Sequence, residues 1–141
     1  METSDVRRQI TQTIDRAKRG AADRRARNDE AAREYGIFLE RIAVPLFRQV
    51  ANVLKAENYA FRVFTPSGSV RLMSETHAED YIELSLDTSG DRPAVTGSTS
   101  RARGRRVIES ERQLGQGPIR DLTEQDVLDF LVTEIEPFFS R

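Results

Sequence analysis

Cysteine is absent from the chain. That excludes a disulfide framework, a thiolate nucleophile and any zinc site built on sulfur. Lysine is scarce: Lys18 and Lys55 stand among 22 basic residues, and arginine fills the other 20 positions. Arginine's planar fork suits interfaces and phosphates, although a GC-rich coding bias accounts for the same composition. Long apolar runs are missing too. The longest, Ile37–Leu39 and Ile42–Phe47, are far shorter than the ~20 residues a bilayer-spanning helix needs. Met1 to Ile10 is polar and of mixed charge, unlike a secretory leader. These absences predict a cytoplasmic protein with no membrane partner.

Charge of one sign is also lacking. The net charge of −1 conceals 12 Lys/Arg against 9 Asp/Glu in residues 1–60, and 10 against 14 in residues 61–141. Neither imbalance by itself declares a nucleic-acid or membrane partner. A length of 141 residues fits one compact domain plus an extension, and such a chain can bury a core without disulfides or metal.

Residues 5 to 35 contain no proline and are rich in helix formers. Ser4 or Asp5 is placed to cap the start. Val6, Ile10, Ile14, Ala17 and Ala21 follow at spacings of 4, 4, 3 and 4, tracing one narrow apolar stripe. The stripe fades through Arg24–Glu30 and returns with Tyr35, Phe38, Leu39, Ile42, Leu46, Val50 and Val53. Gly20 and Gly36 each weaken a helix by roughly 1 kcal/mol relative to Ala. Pro45 removes a helical hydrogen bond and predicts a kink or a fresh start near Val44. One helix over residues 6–56 would run roughly 75 Å, while the remaining chain forms a globule roughly 30 Å across. Only the part from Ile37 to Leu54 can then be covered. The stretch from Val6 to Ala32 must project, fold back about Gly20 or Gly36, or stay partly unfolded. An isolated helix with so thin a stripe is marginal in water, and a partner resolves that.

From Asn58 the period changes to two. Tyr59 to Thr65 reads as a strand, Pro66-Ser67-Gly68 as a turn, and Ser69 to Ser74 as the returning arm of a hairpin. Tyr81 to Thr88 alternates most clearly, with Ile82, Leu84 and Leu86 inward. Ala94 to Ser100 is a weaker strand, expected at an edge or bulged at Gly97. Arg105 to Leu114 forms a last strand, ended by Gly115–Pro118. Thr123 then caps a C-terminal helix, with Asp126 completing a short capping box. Val127, Leu128, Phe130, Leu131, Ile135, Phe138 and Phe139 supply a broad apolar face. The fold class is α+β: a long N-terminal helix kinked or broken near Gly36/Pro45, an antiparallel meander of four or five strands, and a C-terminal helix on the same sheet face. Residues 1–35 form a charged helical arm and 36–141 the α+β domain.

Signals for chemistry are sparse. His77 is the single histidine; with Glu79 and Asp80 it has the residue types of a metal site or a general base, but a solvated loop has the same look. No Gly-x-Ser-x-Gly elbow, phosphate-binding loop or dinucleotide fingerprint occurs, so no catalytic residue, metal or cofactor is assigned. Phe130, Phe138 and Phe139 have two readings, lining a pocket for an apolar ligand or packing the core, and a small sheet needs them for its core. Phe61 and Phe64 have the same two readings, base stacking or core. Arg101, Arg103, Arg105 and Arg106 surround Gly104 in a loop between strands, where they can grip phosphate or pair with Glu109 and Glu111. The arm adds a net charge of +4 over residues 16–33. The composite expectation is a non-enzymatic protein–protein interaction module, an adaptor, small chaperone or accessory subunit. It self-associates or binds a protein partner through Val6, Ile10, Ile14, Ala17 and Ala21. The alternative is a nucleic-acid-associated protein using the arm and the Arg101–Arg106 loop.

Overall fold

The computed structural model describes residues 1–140. Helical backbone runs from α1 (Thr3–Phe38) through a π turn (Leu39–Ala43) into α2 (Val44–Ala56). At 1.5 Å per residue this continuous run is about 80 Å long. Glu2, in extended conformation, precedes the first turn and no side chain caps it. Ser4 and Asp5 therefore lie inside the helix, not at its cap. Asp5 instead pairs with Arg8 at 2.9 Å and sits in the first turn, where the helix dipole favours an acid.

Gly20 and Gly36 pass within α1 without a break. The interruption falls between Gly36 and Pro45. Pro45 has no N–H to give Arg41's carbonyl, and the chain widens by one residue just upstream, Val44 N–H bonding Leu39 O. Burial starts well down the helix: Ala31, Tyr35 and Phe38 in α1, Ala43 in the π turn, Phe47 and Ala51 in α2.

Five antiparallel strands follow in one open sheet with neighbours in chain order: β1 (Phe61–Phe64), β2 (Ser69–Ser74), β3 (Tyr81–Asp87), β4 (Ala94–Arg103) and β5 (Arg106–Leu114). The first strand is shorter than its alternation predicts, because Asn58 takes a positive φ of 70° and Tyr59 packs edge-on against Phe139 at 4.5 Å between ring centroids. A short 3-10 turn (Ile119–Asp121) then buries Ile119 and leads to Leu122, also buried. It precedes α3 (Glu124–Phe139). The capping box of α3 is complete: Thr123 Oγ1 accepts Asp126 N–H at 3.2 Å, and Asp126 Oδ2 accepts Thr123 N–H at 2.9 Å.

Side chains alternate across the sheet. Val70, Leu72, Ile82, Leu84 and Val95 meet Phe47, Val127, Phe130 and Leu131 in a single core. β4 is neither an edge nor bulged at Gly97. It lies between β3 and β5, and its register runs unbroken through Leu84↔Gly97↔Arg112. Glycine stands at 97 for a different reason: a Cβ there would lie 2.3 Å from Cζ of Phe130. The missing side chain lets α3 settle onto the sheet.

Candidate functional site

The N-terminal part of α1 leaves the body. Val6, Ile10 and Ile14 are 43%, 56% and 47% exposed; in the stripe they share, Ala17 is exposed as well and Ala21 is half-buried. The accessible surface, 9839 Å², exceeds by about a third the ~7,400 Å² expected of a compact protein of this mass. At 100° per residue the arm stripe lies within about 50° of the face that buries Ala31, Tyr35 and Phe38. The heptad-like spacing of Ile10, Ile14, Ala17 and Ala21 continues through Arg24 and Asn28 into Ala31, Tyr35 and Phe38. One seam thus serves both the core and the arm, interrupted by two polar residues.

Where the seam enters the body it is anchored. Tyr35 Oη donates to Gly68 O at 2.8 Å. Burial, and then the Glu83 carboxylate, push its hydroxyl pKa up to about 12. Arg120, on the 3-10 turn, reaches Glu34 at 3.4 Å. A shallow groove of about 530 Å³ opens beside this junction, between Ala26, Glu30, Pro93 and Pro118.

The second charged surface is the β4–β5 hairpin. Only Gly104 and Arg105 form its turn, Gly104 with a φ of 62° that suits glycine. Arg101 and Arg103 belong to β4 and Arg106 to β5, not to a loop. β3 begins at Tyr81, opposite Ser100, so Arg101–Arg103 pair with β5 alone and the hairpin overhangs the sheet. The register sets Arg103 against Arg106 and Arg101 against Ile108. These three arginines share one face. Glu109 and Glu111 pair with Ser100 and Ser98, which places them on the other face. Among the described residues, no ion pair engages Arg101, Arg103, Arg105 or Arg106. Of the two roles open to these arginines in the sequence, strand parity separates them from Glu109 and Glu111. Comparison with family models, curated proteins and solved structures finds no match to the chain.

Asp80 fixes the base of the hairpin. It is 1% exposed, and its Oδ1 accepts Ala102 N–H at 2.8 Å. This turns it from His77 and Glu79, which are exposed. His77 Nδ1 instead lies 3.0 Å from Thr76 Oγ1, and Ser74 Oγ accepts the N–H groups of Thr76 and His77. Among the described residues no three histidine or acidic side chains converge as metal ligands. The structural role of Asp80 was invisible in a polar sequence.

The phenylalanines divide between the sheet faces. Phe61 joins an aromatic cluster with Phe138 and Phe139. Phe64 lies on the uncovered face beneath the Arg62 guanidinium, 4.5 Å from its ring centroid. On that face Arg71 covers Tyr81 at 4.0 Å and bonds Glu83 at 3.1 Å. The arginines there are already occupied by aromatic and acidic neighbours. Among the described residues, no helix is long and apolar enough to cross a membrane.

Proposed function

We propose that the protein is a non-enzymatic protein–protein interaction module, an adaptor, small chaperone or accessory subunit, that works through its N-terminal arm. The observation carrying this reading is the uncovered apolar stripe, Val6 to Ala21, on a helix whose same side forms core further along. The part of α1 ahead of Ala31, with a stripe this narrow, gains little from propensity alone, so covering the stripe stabilises the arm as well as the complex. The part of α1 ahead of Ala31 is the interaction element on this reading, and the core that begins at Ala31 is its folded support. Sedimentation at micromolar concentration tests it. An assembly larger than a monomer is expected, weakened when Ile10 and Ile14 are both changed to Asp. A monomer whose arm folds back against the body, giving the small frictional ratio of a compact particle, refutes it.

A second reading has its own observation. Arg101, Arg103 and Arg106 share a face of an overhanging hairpin with no acidic partner among the described residues. Such a tip suits phosphate oxygens, and a nucleic-acid backbone supplies them in series. The body's acidic balance and the acids on the opposite face of β5 rank this reading second.

A further inference from the structure

We infer that the arm's partner is a second copy of this chain, and that the two arms lie antiparallel with Ile10 of each opposite Ala21 of the other. The inference rests on the interaction reading above and specifies its occupant.

Three observations converge. The stripe grades from large to small along its length: Val6, Ile10 and Ile14 come first, then Ala17 and Ala21, and Val6 lies beyond the four paired layers, opposite Arg25. Reversal of one helix against the other sets Ile10 on Ala21 and Ile14 on Ala17, twice over, so each layer joins a large side chain to a small one. A parallel pair sets isoleucine on isoleucine and alanine on alanine, leaving the seam wide at one end and slack at the other.

The body supplies the second argument. Because the arm stripe and the buried face of α1 lie on the same side of the helix, the α+β domain occupies the space a parallel partner's helix needs beyond Ala31. Two parallel copies drive their bodies into each other. In the antiparallel register the partner's first helical residue, Thr3, falls opposite Asn28, about one turn short of Ala31. The overlap ends where the core begins. Sliding the pair one heptad further places Ile10 on Asn28 and Ile14 on Arg24. Sliding it back places Arg7 on Ala17. Both shifts reduce the apolar layers.

Charge provides the third. In the proposed register Asp15 of each copy lies beside Lys18 of the other, and Thr11 and Thr13 face Lys18 and Gly20; the like-charged layer, Arg7 opposite Arg24, falls outside the four apolar layers. Arg7 and Arg24 close the seam at its ends, where their heads reach solvent. A seam about 39 Å long and one helix wide is at the small end of stable interfaces, which sets the expected affinity in the micromolar range.

The absence of native cysteine makes the test direct in the full chain. Nitroxide labels on Ser4→Cys and, separately, Arg16→Cys are measured by dipolar spectroscopy between copies. The antiparallel pair separates Ser4 labels by roughly 35 Å along the axis and brings Arg16 labels within roughly 20 Å. A parallel pair brings both sets within roughly 20 Å and overturns the inference while leaving the interaction reading intact. A dimer whose Ser4 and Arg16 distances fit neither pattern, and which survives Ile10→Asp/Ile14→Asp, overturns it too. A monomer also overturns it; a compact frictional ratio then refutes the interaction reading as well, whereas an extended one refutes self-pairing alone. The double Asp variant is expected to weaken association on the order of 100-fold while the thermal transition of the body holds, which separates loss of pairing from loss of folding.

Discussion

Replacing Gly97 by alanine tests the packing of α3 on the sheet more sharply than truncating any core side chain. Carbon atoms in van der Waals contact sit about 3.5–4.0 Å apart. The new methyl would lie 2.3 Å from Phe130 Cζ and 2.4 Å from Cε2, so the ring must retreat by more than an ångström. It has nowhere to go: Phe130 is 1% exposed, and the Arg112 guanidinium lies 4.8 Å from its centroid. Overpacking of this kind costs about 1–3 kcal/mol. Two effects oppose it. Alanine lowers the entropy of the unfolded chain, stabilising by about 0.4–1 kcal/mol, and a strand interior generally disfavours glycine. Steric overlap this deep outweighs both, so a net loss of about 1–2 kcal/mol is expected. Phe130→Ala alone should cost about 3–5 kcal/mol. The sign then reverses: in the Phe130→Ala background, Gly97→Ala should stabilise, because its methyl enters vacated space and only the opposing effects remain. Urea unfolding at one protein concentration, followed by circular dichroism and tyrosine fluorescence, measures all four corners of this cycle. Additive losses, or a Gly97→Ala variant as stable as the parent, would refute the idea that glycine is there to admit the ring.

Tyr35→Phe removes the donor to Gly68 O and should cost about 1 kcal/mol near neutral pH. Burial, and then the Glu83 carboxylate, push the Tyr35 hydroxyl up to about 12, above the ordinary tyrosine value of about 10, so its neutral form favours folding. That stability is complete below pH 10 and disappears as pH rises through about 12; denaturation against pH should show the loss in the parent and not in Tyr35→Phe. Leu131→Ala should cost about 2–5 kcal/mol, while Val6→Ala should barely move the thermal transition of the body. Equal losses would place the arm inside the same cooperative core. Changing Arg103, Arg105 and Arg106 together to Ala addresses the second functional reading. Sub-micromolar binding of the parent to generic DNA or RNA near 150 mM salt, falling steeply with added salt and flattened in the variant, would promote nucleic acid to first place. Little binding at that salt is the expected result.

Elements whose causes are local were legible in the sequence. The α3 start follows from Thr123 and Asp126, three residues apart. β2 follows from its alternation, and the arm stripe from helical spacing. What escaped depends on partners distant in the chain. Gly97 looks like a weak point in a strand until Phe130 arrives from α3. Asp80 looks solvated until Ala102, 22 residues on, offers its N–H. Whether the hairpin arginines pair with Glu109 and Glu111 stayed open in the sequence, because sequence counts distance along the chain while a strand sorts neighbours to opposite faces. Phe61 and Phe64 are equally apolar in composition, yet parity sends one under the helices and the other under Arg62. Ile119 and Leu122 follow a glycine- and proline-rich stretch that reads as loop, and only the approach of α1 makes them core.

The π turn at Leu39–Ala43 has a consequence for how this protein tolerates change. A π turn is an α-helix with one residue added, and each residue advances the helix by about 100°. Everything N-terminal to the turn is therefore aimed by that single extra residue. Deleting one position there would restore a regular helix and swing α1 by roughly a quarter-turn relative to α2. Tyr35 and Phe38 would leave their places over the sheet, and the Ile10–Ala21 stripe would point away from its present side without any change in its own residues. Insertions or deletions should thus be far better tolerated in the turns at Pro66–Gly68 or Ser89–Arg92 than in this five-residue segment. Its length acts as the angular setting between what holds the body together and what the arm presents.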